Sequence, residues 1–314
     1  MGSITKHPAG GWRAWITVSG KRRSKLFKRK AEAQEWIAAS EKQQDAGHSW
    51  FDALHRYEKT VLPKRKATTK RWELLRLPKL REQIPDRPLS EVTPDVIASW
   101  RDDRLQSVSA GSVLREMSLV GSILSIALKE WRWIGENPMA SVSKPSAPPG
   151  RDRLITEAEI EKECLALGYI EGKPESVSQR VAVAFLFAIE TGMRCGEICG
   201  IRPEDINGRV AHLPMTKNGT ARNVPLSKEA VRLLKLVGGN FDLKPSQIDA
   251  LFRKARKAAG LSGFTFHDSR HLASTRLARK LSPLELARMM GHKDLKMVMR
   301  YFNETAEEIA KRLD

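Results

Sequence analysis

Residues 266–271 read FHDSRH and residues 291–301 read GHKDLKMVMRY, with a helical stretch between them. Upstream, residues 191–197 read TGMRCGE. Together these segments supply Arg194, Glu197, His267, Arg270, His271, His292 and Tyr301. Taken singly, each has an ordinary explanation: a surface ion pair for an arginine, a hydrogen-bonded structural position for a histidine. The grouping says more. A guanidinium makes paired N–H bonds to phosphate oxygens, a geometry that an ammonium cannot reproduce. Two arginines accompanied by histidines therefore read as a phosphate-binding constellation. His267 lies three residues before Arg270 and is expected on the same helix face. His271, the next residue, is expected to face elsewhere and brace the helix. Glu197 follows Arg194 by three; a carboxylate beside a phosphate repels it, so Glu197 is expected to support and orient the site.

The composition points the same way. The 314-residue chain carries 55 Lys and Arg against 37 Asp and Glu, a formal surplus of 18. Such a surplus implies a polyanionic partner, nucleic acid first and an anionic membrane surface second. No uninterrupted apolar run approaches the roughly 20 residues of a membrane span, so no membrane partner is expected. The opening MGSITK has no apolar h-region, and lysine stands where an acylation signal needs Ser or Thr; neither export nor acylation is expected. The length suits two or three folded domains. Cys164, Cys195 and Cys199 form no disulfide framework, and no second ligand pair lies near the last two. They read as small apolar residues in a reducing cytosol, and no metal is expected.

The order of elements predicts a mainly α protein with small β elements (α+β). Residues 11–45 predict a β-β-α unit, with WRAWITV at 12–18, a turn at 19–20, extended character over 22–28 and a helix over 31–44. Ala31, Gln34, Ile37 and Ala38 fall at helical spacing. The sheet is crowded with charge, and Arg22, Arg23, Lys25 and Lys28 are candidate contacts to nucleic acid, since a small ribbon fits the major groove. Residues 49–143 predict helices at 50–62, 69–83, 94–106 and 110–131, with Thr93-Pro94 as a start and Ser109 as an N-cap. Val113, Leu114, Met117, Val120, Leu124, Ala127 and Leu128 form a core-facing stripe. Trp131 and Trp133 read as packing residues, and Arg71 and Arg101 are candidates for phosphates. KPSAPPG at 144–150, stiffened by three prolines, is the clearest boundary. Beyond it, TEAE at 156–159 is a capping-box start and 181–189 an apolar core helix. Residues 209–213 and 221–224 read as strands around the Asn218-Gly219 turn, and 246–259, 267–280 and 283–290 as helices. The expected division is 1–47, 48–143, a linker at 144–153, and 154–314.

TGMRCGE at 191–197, KNG at 217–219, HDSRH at 267–271, GH at 291–292 and Tyr301 occur in that order. In this, residues 150–314 resemble the catalytic region of the tyrosine recombinases, the phage-type integrases most of all. The helical block is similar to that family's core-binding domain and the N-terminal unit to its arm-binding domain. The resemblance implies a DNA strand transferase that works through a 3′-phosphotyrosine. It makes Tyr301 the nucleophile, with Arg194, Arg270 and His292 on the phosphate. Lys217 protonates the leaving 5′-oxygen, and His267 acts as base or proton shuttle. A free phenol, with a pKa of about 10, needs that help to attack. No nucleotide or metal cofactor is implied. The implied partners are double-stranded DNA with core-type and arm-type sites, a homotetramer on that DNA, a directionality factor and a host DNA-bending protein. The implied setting is cytoplasmic and nucleoid-associated in a bacterial host. The tail at 304–313 is helical in pattern and is expected to dock on a neighbouring protomer. Ser269 stands where the family has leucine and is expected to loosen packing beneath the site; Cys195-Gly196 also departs from the commoner residues. Two rivals exist. The basic N-terminal sheet argues against a type IB topoisomerase-like relaxing enzyme, and the intact set of six groups argues against a catalytically silent DNA-binding regulator.

Overall fold

The computed structural model describes residues 2–8, 10–18, 21–45, 47–147, 153–214, 221–292, 294–302 and 310. The chain divides into two compact units, Met1–Gly150 and Arg151–Asp314. The boundary expected at 47/48 falls inside the first of them.

In the first unit, β1 (Ser3–Lys6), β2 (Trp12–Val18) and β3 (Lys21–Phe27) form an antiparallel sheet in that order, and helix α1 (Lys30–Asp45) packs on it. β1 is an addition to the expected β-β-α unit. Four residues with one apolar side chain carry no strand pattern; pairing with β2, Ile4 opposite Ala14, creates the strand. The inward stripe of α1 also differs from expectation. Ala33 is fully buried, as is Ala14 on β2, whereas Ala31, Gln34 and Ala38 are exposed.

Helices α2 (Trp50–Thr60), α3 (Ala67–Gln83), α4 (Pro94–Ser107) and α5 (Ala110–Ile126) follow. Ser49 and Asp52 close a reciprocal capping box on α2, and the Thr93 hydroxyl accepts from Val96 N to start α4. Ser109, the expected cap of α5, makes no side-chain cap bond; its hydroxyl meets that of Ser112 at 3.2 Å. Over residues 110–131 this helix is long and apolar enough to cross a membrane by length and composition, contrary to the expectation from sequence. Its apolarity has another cause: Val113, Met117, Val120, Ile123 and Leu124 are buried in one core with Trp50, Leu54, Tyr57 and Trp100. Beneath that core Glu116 is held by Arg104 at 2.9 and 3.1 Å and by Arg76 at 3.1 Å.

The second unit contains α6 (Glu157–Ala166), α7 (Val177–Thr191), α8 (Cys195–Gly200), β4 (Ile206–Asn207), β5 (Val210–Leu213) and β6 (Arg222–Pro225). It continues with α9 (Lys228–Leu236), α10 (Pro245–Ala258), α11 (Asp268–Ala278), α12 (Pro283–Met290) and α13 (Lys296–Met299). The strands pair antiparallel as β4-β5-β6, one more than the expected hairpin. α7 supplies the centre of the core: residues 181–185 and 187–189 are all buried. Phe185 meets the rings of Phe252 at 4.9 Å and Phe266 at 6.0 Å. Burying each such side chain contributes roughly 1.5–3 kcal/mol, which makes α7 a firm support for whatever follows its end.

That end is set by backbone geometry. Gly192 caps α7 with φ 63°, and a Cβ there would stand 2.5 Å from Met290 Sδ. The left-handed φ and the close approach both demand glycine. Gly291 closes α12 in the same conformation, φ 66°, and delivers His292.

Candidate active site

Two residues beyond Gly192, Arg194 occupies the N-cap of α8. Glu197, in the first turn, accepts the Arg194 backbone N–H at 2.7 Å and its Nη1 at 3.0 Å. From β6, Arg222 donates both Nη atoms to the same carboxylate, at 2.7 and 2.8 Å, and its Nε to the Met289 carbonyl at 3.0 Å. The Arg222 and Glu197 side chains are 7% and 8% exposed, against 21% for Arg194. The most accessible guanidinium is therefore the one with nitrogens to spare. Burial pushes the Glu197 carboxyl up, but the Arg222 fork, the Arg194 amide and both positive charges outweigh it and hold it below its ordinary value.

Arg270, in the first turn of α11, is 6% exposed. Its Nη1 donates to the Gly192 carbonyl and its Nη2 to the Met290 carbonyl, the ends of α7 and α12. Nη2 also lies 3.1 Å from His292 Nε2. Burial first, then the charges of Arg194 and Arg222, bring Arg270 down to about 10, so it remains a cation at neutral pH. His292 is brought down to about 4 by burial and then by Arg270, Arg194 and Arg222, so its ring is neutral. A guanidinium only donates. Nε2 therefore accepts, the ring proton sits on Nδ1, and that atom is buried with no partner among the described residues.

The two other histidines stand at the start of α11. His267 is the exposed N-cap residue of α11, in helical conformation with its carbonyl accepting from Arg270 N at 3.1 Å, while Arg270 is buried. His271 faces Tyr301. Its ring lies 5.3 Å from that of Tyr301, tilted by 60°, and both its nitrogens are buried without partners among the described residues. A step of about 100° around the helix carries it off the face of Arg270 and onto the segment that follows α12. Tyr301 is half-buried on the small cluster of Leu286, Ala287, Met290 and Val298, and its phenol acts electrostatically on Arg270. Ser269 does not loosen the packing: it is buried, with its hydroxyl donated to the Phe266 carbonyl at 2.6 Å.

Lys217 and the Asn218-Gly219 turn lie outside the described residues, as does the tail at 303–309 and 311–314. In the N-terminal sheet the register pairs Arg22 with Thr17, Arg23 with Ile16 and Lys25 with Ala14, and Lys25 and Lys28 are exposed. Arg71 is exposed too. Arg101 is already engaged, bound by both oxygens of Asp102 and by the Ser143 carbonyl at 2.7 Å. Arg222 is the residue that sequence reading missed. Its signal was strand alternation: Arg222 shares the inward face of β6 with the buried Val224, and an arginine on an inward face requires a carboxylate.

The chain is similar to known proteins. Residues 154–308 fit the profile of the Phage integrase family. A Haemophilus influenzae relative whose name pairs integrase with recombinase is 37% identical over 274 residues, covering 84% of this chain and 89% of its own. The shufflon-specific DNA recombinase of Escherichia coli is 34% identical, over 83% of this chain and 71% of its own. Among solved structures, a lambda integrase dimer bound to a COC' core site matches with a TM-score of 0.70 at 22% identity, over 97% and 95% of the two chains. The fold is accordingly the mainly helical α+β architecture with small antiparallel sheets. The chain belongs to the phage integrase family, as a tyrosine recombinase that cleaves and rejoins DNA.

Proposed function

We propose that Tyr301 is the nucleophile of this recombinase and that the reaction moves mobile, phage-like DNA into and out of a bacterial chromosome. One observation carries the assignment of roles: Arg194 and Arg222 bond one carboxylate, Glu197, while Arg270 and its partner His292 stand within electrostatic reach of both arginines, and Arg270 also of Tyr301. A site with that surplus of positive charge lacks an anion, and one phosphate diester supplies it. Phosphoryl transfer needs little more than such positioning and charge.

In the reaction the Tyr301 oxygen attacks the scissile phosphorus. The bond to the 5′-oxygen breaks, and a 3′-phosphotyrosyl bond replaces it. Arg194 and Arg270 hold the non-bridging oxygens, and His292, beside Arg270, hydrogen-bonds one of them. The phenolic proton passes to His267, and Lys217 gives the 5′-oxygen its proton on departure. His271 keeps the phenol in position. Religation to a partner strand reverses each transfer, so bond energy is conserved and no nucleotide or metal cofactor enters.

The first unit supplies the DNA address. Its helical block serves as the core-binding domain and its sheet, with Lys25, Lys28 and the neighbouring Arg22 and Arg23, reads arm-type sites. Lambda integrase has been solved as a dimer on a core site and as a tetramer on a Holliday junction, which supports a tetramer of this chain on DNA. A directionality factor and a host DNA-bending protein complete the assembly, in the bacterial cytoplasm at the nucleoid.

A nicked suicide substrate carrying a core site, taken from the DNA flanking the gene, tests the chemistry. A covalent complex absent in Tyr301→Phe is expected; no complex with the parent chain on any cognate site would sink the assignment. Deleting residues 1–45 is expected to abolish arm-site binding and spare core-site cleavage, and unchanged binding to all sites would refute the arm role. Affinity should fall with salt at a log–log slope of about −0.9 for each phosphate contacted.

A further inference from the structure

We propose that Arg222 is a positioning residue whose charge frees Arg194 for the scissile phosphate. This rests on the reading of Arg194 as a phosphate ligand. Glu197 is nearly buried, and in such a site opposite charges attract far more strongly than in water. Left with Arg194 alone, it would capture that guanidinium and neutralise it. The observed geometry divides the carboxylate differently. Arg222 takes both oxygens, at 2.7 and 2.8 Å, while Arg194 keeps one Nη1 bond at 3.0 Å and its backbone bond. Among the described residues, Nε and Nη2 of Arg194 bond nothing, and the side chain keeps its 21% exposure.

Arg222 also ties three elements together from a nearly buried position. Its Nε holds the Met289 carbonyl on α12, one residue before the carbonyl that holds Arg270. A Cβ at Gly291 would come within 3.1 Å of its Cδ and Nη1. Being 7% exposed and fully engaged, Arg222 acts through its neighbours rather than on DNA. The charges of Arg222 and Arg194 both depress Arg270 and His292, which puts all four groups in one electrostatic unit.

A mere brace and a counter-charge differ in how they respond to the loss of Glu197. Covalent-complex formation on the suicide substrate would be timed for the full chain and for Arg222→Gln, Arg222→Lys, Glu197→Gln and the Arg222→Gln/Glu197→Gln pair. Melting curves and core-site affinity accompany each rate. A Tyr301-dependent complex with the parent establishes the underlying reading separately. Arg222→Gln is expected to slow cleavage about 100-fold, the scale of losing one transition-state ligand, with affinity changed far less. Arg222→Lys restores the charge and should come within about tenfold of the parent. Adding Glu197→Gln to Arg222→Gln should speed cleavage at least about tenfold, because no carboxylate remains to capture Arg194. A double variant no faster than Arg222→Gln, or Arg222→Gln as fast as the parent, overturns the proposal. Should Arg222→Gln not fold, Arg222→Lys decides: a folded protein slowed beyond about 100-fold overturns it, and one within about tenfold supports it.

Discussion

Lowering the pH from 7 to 5 protonates an ordinary histidine and should leave His292 neutral. Burial, followed by the charges of Arg270, Arg194 and Arg222, brings its imidazole to about 4 in the folded chain, against 6.5 for a free side chain. The unfolded chain therefore binds this proton first. Stability from this group is full above about 6.5 and is lost as the pH falls toward 4. The two values give roughly 2 kcal/mol at pH 5, and solvent screening of a half-buried ring reduces this to about 1–2 kcal/mol. NMR titration reads the midpoint directly. Of the seven histidines in the chain, the resonance missing from His292→Asn identifies the one concerned. Its midpoint is expected at about 4–5, and Arg270→Gln, which removes the largest of the three charges, should raise it toward 6.5. Urea unfolding at pH 7 and pH 5 gives the same quantity as energy: the parent should lose about 1–2 kcal/mol more than His292→Asn. A parent midpoint above about 6, or one unmoved by Arg270→Gln, refutes the electrostatic account of the site.

Three further outcomes test other parts of the molecule. His271→Phe keeps a ring against Tyr301 and removes two orphaned buried nitrogens, each costing about 1–3 kcal/mol, so it should melt no lower than the parent yet form the covalent complex at least about tenfold more slowly; unchanged cleavage would leave the imidazole without a role. Gly192→Ala combines a left-handed backbone with the clash against Met290 and should cost about 2–3 kcal/mol by thermal unfolding, with cleavage impaired through Arg194 and Arg270. Glu116→Ala strands Arg104 and Arg76 in the first unit and should cost about 3–5 kcal/mol, a fall of roughly 10 °C in the melting of that unit, with Tyr301 chemistry intact on DNA at low temperature.

What could be read from sequence was local chemistry. The Thr156 capping box and the apolar run of α7 are each decided within a short stretch of chain, and the structure has both. The candidate reactive groups stand out in the sequence because their order along the chain is a pattern in itself. What stayed hidden depends on partners far away in sequence. β1 and the two-residue β4 are strands only because another strand pairs with them. Arg222 meets Glu197 across twenty-five residues, and nothing in either segment names the other. His271 was assigned to the correct helix, but spacing gives a side chain's direction around the axis, not what waits there. Ser269 looked like a packing defect because its acceptor, a carbonyl three residues back, is invisible in a list of side chains.

The burial of Arg270 explains why the site is built from helix ends. A lone guanidinium at 6% exposure, repelled by two neighbouring cations, would cost several kcal/mol without compensation. Glu197 cannot provide it, because Arg194 and Arg222 occupy that carboxylate. The last carbonyls of a helix have no partner within the helix and carry its negative dipole end. α7 and α12 both stop at left-handed glycines, and the carbonyls of Gly192 and Met290 fall on the two Nη atoms of Arg270. With His292 taking a further bond, three of the five guanidinium N–H groups are held in place. The charge is thus supported by dipoles that cannot themselves be titrated or attracted away by DNA. A carboxylate in their place would cancel the positive field that a phosphate needs, so helix ends satisfy the arginine and leave its charge for the substrate.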